Sequence, residues 1–140
     1  MCGIFVARLY LMEVRKPEIA IMRNFKKLKV WNKAHQWVLK IYRITASFPP
    51  DERLGLVVQL RRSATSISAK IAEGCGRESM QELSRFLIIA AASANEAEYQ
   101  LLLAYDLGYI DEKTYCELNE NIDEVKKMLN SFIHSISPEN

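Results

Sequence analysis

Apolar residues recur at alternating steps of three and four along most of the chain from about residue 30 onward. Because an α-helix completes a turn in about 3.6 residues, this spacing places the apolar side chains on one helical face. The clearest example is the seam formed by Val57, Leu60, Ala64, Ile67 and Ile71. Similar stripes return in three other segments, so the pattern predicts four amphipathic helices.

The first two helices are separated by a proline-containing segment. The first is predicted from about Val30 to Ser47, with a stripe of Ala34, Val38, Ile41 and Thr45 flanked by Trp31, Trp37 and Tyr42. Pro49 and Pro50 then stop it, because proline cannot continue a helix. The second helix is predicted from about Glu52 to Glu73. Gly74-Cys75-Gly76 follows, and glycine suits the left-handed conformation just past a helix end.

The last two helices carry recognisable start signals. Ser79 and Glu82 have the spacing of a capping box, and the helix that follows is predicted to reach about Leu107 before Gly108. Asp111 is a suitable N-cap for the fourth helix. The seam of the third helix is Leu83, Leu87, Ala90, Ala94, Ala97, Leu101 and Ala104. The seam of the fourth is Tyr115, Leu118, Ile122, Val125, Leu129, Phe132 and Ile136.

Four helices joined by short loops predict an all-α, antiparallel up-down-up-down four-helix bundle. The third helix is apolar nearly all round in its first half, where Phe86 and Ile89 form a second stripe beside Ala91 and Ala92. One core cannot use every face of a helix. The third helix therefore has more apolar surface than one core can bury, and the second helix carries small residues. Together they predict a homo-oligomer in which the second and third helices form the subunit contact.

The segment before the patterned region is treated separately from the bundle. Residues 1–21 are interpreted as a loose N-terminal extension or a mis-called start, and residues 22–140 as the bundle domain. The apolar run at the start is too short to span a bilayer and no clear cleavage site follows it, so no membrane association is expected. Its first residues resemble the N-terminal cysteine motif of class II glutamine amidotransferases, but the chain lacks the strands that such an enzyme needs.

Charge is distributed unevenly although the net charge is only +2. Residues 1–77 contain 15 Lys and Arg against 5 Asp and Glu, whereas residues 78–140 contain 4 against 12. One interpretation is that the two halves attract each other within the bundle. The other is that the basic half also offers a surface to a polyanion, and the two interpretations are compatible.

The potential catalytic residues do not form a recognisable site. Glu-x-x-His motifs of a di-iron bundle are absent, because position 32 is Asn before His35 and position 131 is Ser before His134. Cys75 is expected in a loop and Cys116 half-buried, with no histidine placed beside either. Three cysteines without C-x-x-C spacing favour reduced thiols in a cytoplasmic protein. The sequence therefore predicts no enzyme, no metal and no cofactor.

The basic residues of the first two helices are the remaining candidates for function. These residues could simply form a solvated surface, or they could form a surface that binds phosphate. Repetition of the basic surface around a symmetric oligomer would favour phosphate binding. Acidic residues such as Glu73 and Glu96 are expected to form structural ion pairs with nearby arginines. The predicted nucleic-acid contacts are Arg61, Arg62, Lys70 and Arg77, supported by Lys33, Lys40 and Arg43.

Several short motifs occur in an order typical of one family. They are Phe25-x-x-Leu28-x-Val30-Trp31-x-x-Ala34, Ile41-Tyr42-x-x-Thr45-x-x-Phe48-Pro49, Gln59-Leu60-Arg61-Arg62-Ser63-Ala64-x-Ser66-Ile67, Ile71-Ala72-Glu73-Gly74, Phe86-Leu87-x-Ile89-Ala90 and Leu107-Gly108-Tyr109-Ile110. Over roughly residues 22–136 the chain resembles the four-helix-bundle proteins encoded in intervening sequences of bacterial large-subunit ribosomal RNA genes. A related branch is the accessory variability protein of diversity-generating retroelements.

The resemblance implies a homopentameric barrel of four-helix protomers without known enzymatic activity. For the retroelement branch it implies binding to RNA or DNA and to a reverse transcriptase, so a protein-interaction adaptor is the alternative to a nucleic-acid-binding ring. Two positions depart from the family pattern. Lys70 stands where asparagine is usual, which should make the surface more basic, and Ala92 stands where glycine is expected.

Overall fold

A computed structural model describes residues 23–137, and within this range the regular structure is helical. Four long helices follow one another: α1 (Lys29–Thr45), α2 (Leu56–Cys75), α3 (Met80–Asp106) and α4 (Glu112–Ile136). Short 3₁₀ turns at Phe25–Lys27 and Pro50–Glu52 precede α1 and α2. The predicted extension, residues 1–21, lies outside the described residues.

The helices pack as an antiparallel up-down-up-down bundle, which confirms the predicted fold class. Contacts join α1 to α2, α2 to α3, α3 to α4 and α4 back to α1, and those between α2 and α3 are the most extensive. Every residue predicted in the seams of α2 and α3 is buried. Burial of these stripes removes apolar surface from water and so supplies the main stabilisation of the bundle.

The start of α2 differs from its prediction. A helix was expected from about Glu52, but the chain forms a 3₁₀ turn at Pro50–Glu52 and α2 begins only at Leu56. The N-cap Gly55 has a φ of −108° and a ψ of −110°, outside the helical region, so α2 begins after it. Oε1 of the Glu52 carboxylate accepts a hydrogen bond from the Leu56 backbone N–H at 3.5 Å. Its Oε2 accepts one from the Tyr109 hydroxyl at 3.0 Å. The same carboxylate thus ties this loop to the turn between α3 and α4.

Two glycines have roles that can be assigned. Gly108 follows Leu107, the C-cap of α3, and has a φ of 79°, which suits this place and agrees with its predicted position. Gly74, expected as a left-handed helix end, instead lies inside α2. A Cβ on Gly74 would come within 2.9 Å of both Leu83 Cδ1 and Phe86 Cβ. Glycine at position 74 therefore allows α3 to approach α2 closely beside Phe86.

Both predicted helix caps are present. The Ser79 Oγ accepts a hydrogen bond from the Glu82 N–H at 3.1 Å, and an Asp111 Oδ1 accepts one from the Thr114 N–H at 2.7 Å. Hydrogen bonds from the Thr114 side chain and backbone lower the pKa of Asp111 by stabilising its ionised form. The caps satisfy backbone donors that have no partner within the helix.

The contact between α2 and α3 also contains polar groups. The Ser63 hydroxyl donates to Gln100 Oε1 at 2.5 Å, and Gln100 Nε2 donates to Glu96 Oε1 at 3.3 Å. The hydroxyls of Ser66 and Ser93 lie 3.0 Å apart. Hydrogen bonding offsets the cost of removing these groups from water.

Candidate nucleic-acid interface

Two of the predicted contact residues form ion pairs with the acidic fourth helix. Lys33 Nζ lies 2.9 Å from a carboxylate oxygen of Glu124. Lys40 Nζ lies 3.4 Å from Glu117 and donates to Asn121 Oδ1 at 3.0 Å. On this face the basic and acidic halves of the chain neutralise each other. An external phosphate would have to compete with these carboxylates.

Arg61 binds the end of α1. Its Nε donates to Thr45 Oγ1 at 2.8 Å, and its Nη2 donates to the Tyr42 carbonyl at 3.2 Å. The guanidinium also lies over the Tyr42 ring, with Cζ 4.4 Å from the centroid. Because the last carbonyls of a helix carry partial negative charge, a cation at this place is stabilising. Arg61 is thus a connection between α1 and α2.

Arg62 and Arg43 are in a different situation. Both side chains are exposed, on the outer faces of α2 and α1 respectively. Neither forms a hydrogen bond, ion pair or ring contact with another residue in the range 23–137. Of the two neighbouring arginines of α2, Arg61 therefore packs against the bundle and Arg62 faces water. The carboxylates expected to pair with them have other partners, since Glu73 pairs with Lys70 and Glu96 accepts from Gln100.

Three cations surround the ring of Phe86. Arg77 Cζ lies 4.6 Å from the ring centroid, Arg85 Cζ 5.6 Å and Lys70 Nζ 5.8 Å. Phe86 itself is only 7% exposed, so its ring is fixed in the bundle. Lys70 and Arg77 were predicted contact residues, whereas Arg85 was not. Arg85 precedes the apolar stripe in the first turns of α3, and only the fold brings it close to Arg77.

More cations lie at the same end of the bundle. Because the helices are antiparallel, the start of α1, the end of α2 and the start of α3 are neighbours there. Arg23 Nη2 donates to the Glu78 carbonyl at 3.0 Å, and the turn at Phe25–Lys27 contacts both α1 and α2. We call this surface the basic end. Its cations are Arg23, Lys26, Lys27, Lys29, Lys70, Arg77 and Arg85.

Acidic residues only partly balance the basic end. The carboxylates in its elements are those of Glu73, Glu78 and Glu82. Glu73 pairs with Lys70 at 2.8 Å, and the Glu82 side chain accepts from the Ser79 hydroxyl at 3.4 Å. The dipoles of antiparallel helices largely cancel at either end of a bundle, so the side chains dominate the field here. The basic end therefore has an excess of positive charge.

Neither described cysteine has the environment that was expected. Cys75, expected in a loop, is the last residue of α2 and is buried, and this burial raises the pKa of its thiol to about 11. Cys116, expected half-buried, is exposed. A thiol that stays protonated at neutral pH is a poor nucleophile, so Cys75 behaves as a core side chain.

Other features of the range 23–137 bear on chemistry. No group of three or more His, Cys, Asp and Glu side chains in this range is arranged to hold a metal ion. His35 stacks on Trp31 with ring centroids 5.0 Å apart. No helix between residues 23 and 137 is long and apolar enough to cross a membrane.

Comparisons with known proteins identify relatives of this bundle. The chain is similar to a structurally characterised protein of unknown function from the S23 ribosomal protein family of Bacteroides thetaiotaomicron. The two are 31% identical, and the match covers 74% of this chain and 97% of the other, with a TM-score of 0.68. No curated protein shows significant similarity. The profile of the 23S rRNA-intervening sequence protein family matches residues 26–131, more than half of the chain. The chain therefore belongs to the 23S rRNA-intervening sequence protein family, as its motifs predicted.

Proposed function

We propose that this protein is a non-enzymatic, ring-forming bundle that binds RNA or DNA in the cytoplasm through exposed cations of its basic half. The observation that carries this proposal is that most Lys and Arg side chains in residues 23–77 form no ion pair with a carboxylate of the described residues 23–137. Residues 23–77 contain twelve Lys and Arg. Of these, only Lys33, Lys40 and Lys70 form an ion pair with a carboxylate of the described residues 23–137. Attraction between the two halves of the chain therefore leaves most of the basic charge available to a polyanion.

Nucleic-acid binding of this kind should depend strongly on salt. Each phosphate that is neutralised by Lys or Arg releases counterions, so the logarithm of the binding constant falls linearly with the logarithm of the salt concentration. We expect fluorescence anisotropy with labelled oligouridine and oligothymidine to show such a linear fall between about 50 and 200 mM KCl. Absence of binding to single-stranded and duplex RNA and DNA at the lowest salt would contradict the proposal.

The ring is proposed from an apolar stripe on the outer face of α3. The exposed fractions are 54% for Ile88, 61% for Tyr99 and 40% for Leu102, and Ala92 between them is also exposed. These side chains recur at steps of four, seven and three, so they form one continuous strip. The neighbouring outer face of α2 carries the small residues Thr65 and Ala69. A second copy that places its small-residue face on this strip would make a head-to-tail contact, and such contacts close into a ring when the rotation between copies divides a full turn. We propose a pentamer.

Ala92→Glu should disrupt this assembly. The new carboxylate would lie in the middle of the strip, where a subunit contact would leave it without a partner, and an uncompensated buried charge is strongly unfavourable. Light scattering should show a shift from a pentamer towards monomers, with an unchanged helical circular-dichroism signal. Asn130→Glu is the matched control, because Asn130 is exposed on α4, away from the strip. A wild-type protein that is monomeric at micromolar concentration would disprove the ring.

The adaptor remains the second candidate, because the unpaired cations of the basic half would also suit an acidic protein, or one that carries nucleic acid, such as a reverse transcriptase. Salt-sensitive binding of purified protein to free nucleic acid supports the first function. Binding only in the presence of a protein partner supports the adaptor.

A further inference from the structure

The Phe86 ring holds three positive charges close together. Lys70, Arg77 and Arg85 come from α2, from the turn after it and from α3, yet each lies within 6 Å of the same ring centroid. Phe86 packs against Gly74, where even a methyl group would be too close. The position of the ring is therefore set by the core, and the three cations are arranged around a fixed point.

This arrangement has an electrostatic cost that the protein itself does not fully offset. Each cation lies within 6 Å of one ring centroid, so the three repel one another, and attraction to the ring offsets this repulsion only in part. The ion pair of Lys70 with Glu73 compensates one of the three charges. Arg77 and Arg85 form no ion pair with the carboxylates of residues 23–137. An anion bound beside these guanidinium groups would relieve the repulsion.

The chemistry of these groups favours phosphate, and their distribution favours a chain of phosphates. A guanidinium presents parallel N–H donors that match two oxygens of one phosphate. Beyond the Phe86 cluster, Arg23, Lys26, Lys27 and Lys29 extend the positive surface across the basic end. A single inorganic phosphate would meet only part of this surface, whereas a nucleic-acid backbone can contact its successive cations.

We propose that the basic end, centred on Arg77 and Arg85, is where the nucleic-acid backbone binds, in preference to the middle of the α1 and α2 faces. This inference rests on the proposed function and adds the location of the surface and the residue Arg85. RNA and DNA share the phosphate backbone, so the geometry applies to both. Arg43 and Arg62 of the α1 and α2 faces are then secondary, and Lys33 and Lys40 stay paired with α4.

The test compares two variants that remove the same charge from different places. Arg77→Gln/Arg85→Gln changes the basic end, and Arg43→Gln/Arg53→Gln is the matched control, because Arg43 near the end of α1 and Arg53 before α2 are exposed at the opposite end of the bundle. Anisotropy with oligouridine, oligothymidine and a DNA duplex gives the binding constant of each as a function of KCl concentration. We expect the first variant to bind single strands at least about tenfold more weakly, with a salt slope shallower by about 1.4, from two lost phosphate contacts. The control variant should keep more of the wild-type affinity and salt slope than the first variant does. Because all four side chains lie on the surface, thermal unfolding should confirm that both variants fold.

Each of the other results has a distinct meaning. If the control loses as much affinity as the first variant, or more, the location is wrong while nucleic-acid binding stands. If wild-type protein binds none of the nucleic acids, both the location and the proposed function fail. If polyglutamate competes as well as unlabelled oligouridine, the basic end recognises an acidic protein, and the inference is overturned.

Discussion

Replacing Trp37 by alanine is expected to lower the free energy of unfolding by about 3–5 kcal/mol, a typical cost for removing a large buried aromatic side chain. Trp37 is 1% exposed, and its indole N–H donates to the Leu118 carbonyl of α4 at 2.9 Å. The residue thus fills the core and also connects α1 to α4. Urea unfolding followed by circular dichroism measures the change.

Two further variants separate the contributions of Trp37. Trp37→Phe keeps much of the apolar volume but loses the indole donor, so we expect a smaller loss, which includes about 1 kcal/mol for the hydrogen bond. Trp31→Ala is the control on the same helix, because Trp31 is only half-buried. Equal losses for Trp31→Ala and Trp37→Ala would contradict the central position of Trp37.

Arg61→Ala should destabilise the bundle by about 1.5–3 kcal/mol, the usual worth of hydrogen bonds from a charged donor. The variant loses the bonds to Thr45 Oγ1 and the Tyr42 carbonyl and the contact with the Tyr42 ring. Arg62→Ala should change stability by no more than about 0.5 kcal/mol, because an exposed side chain without partners contributes little. Thermal and urea unfolding of the two single variants measure the difference.

Arg61→Lys tests whether geometry or charge is responsible. Lysine keeps the positive charge near the end of α1 but cannot present two N–H groups in a fixed plane. We expect it to recover less than half of the loss. Full recovery would show that charge alone stabilises this position, and equal stabilities for Arg61→Ala and Arg62→Ala would refute the structural role of Arg61.

Most of the fold follows from local patterns in the sequence. The three-four spacing identified α1 to α4, and Ser79 and Asp111 marked the starts of α3 and α4 because a cap acts within one helical turn. The start of α2 was predicted too early because no capping motif in the sequence marks Gly55, whose backbone is non-helical, as the N-cap.

The candidate site could be predicted only in part. The sequence showed which residues are basic, but not which of them meet carboxylates, since those partners lie on another helix. Lys33 and Lys40 face α4 because of their positions around α1, whereas Arg43 faces water. Arg85 was missed because its relation to Arg77 and Lys70 exists only when α2 and α3 fold back on each other around Gly74 and Phe86.

The hydroxyl and amide groups between α2 and α3 determine which of several alignments the two helices adopt. Small side chains such as Ala64, Ala90 and Ala94 are nearly interchangeable, so sliding one helix by a turn would bury a similar apolar area. That slide would move Gln100 about 5.4 Å from Ser63 and leave its amide among alkyl groups. An unsatisfied buried amide costs about 1–3 kcal/mol, so the Ser63–Gln100 pair selects a single register. The polar groups between α2 and α3 therefore add to the Gly74–Phe86 contact in fixing a single alignment of the two helices.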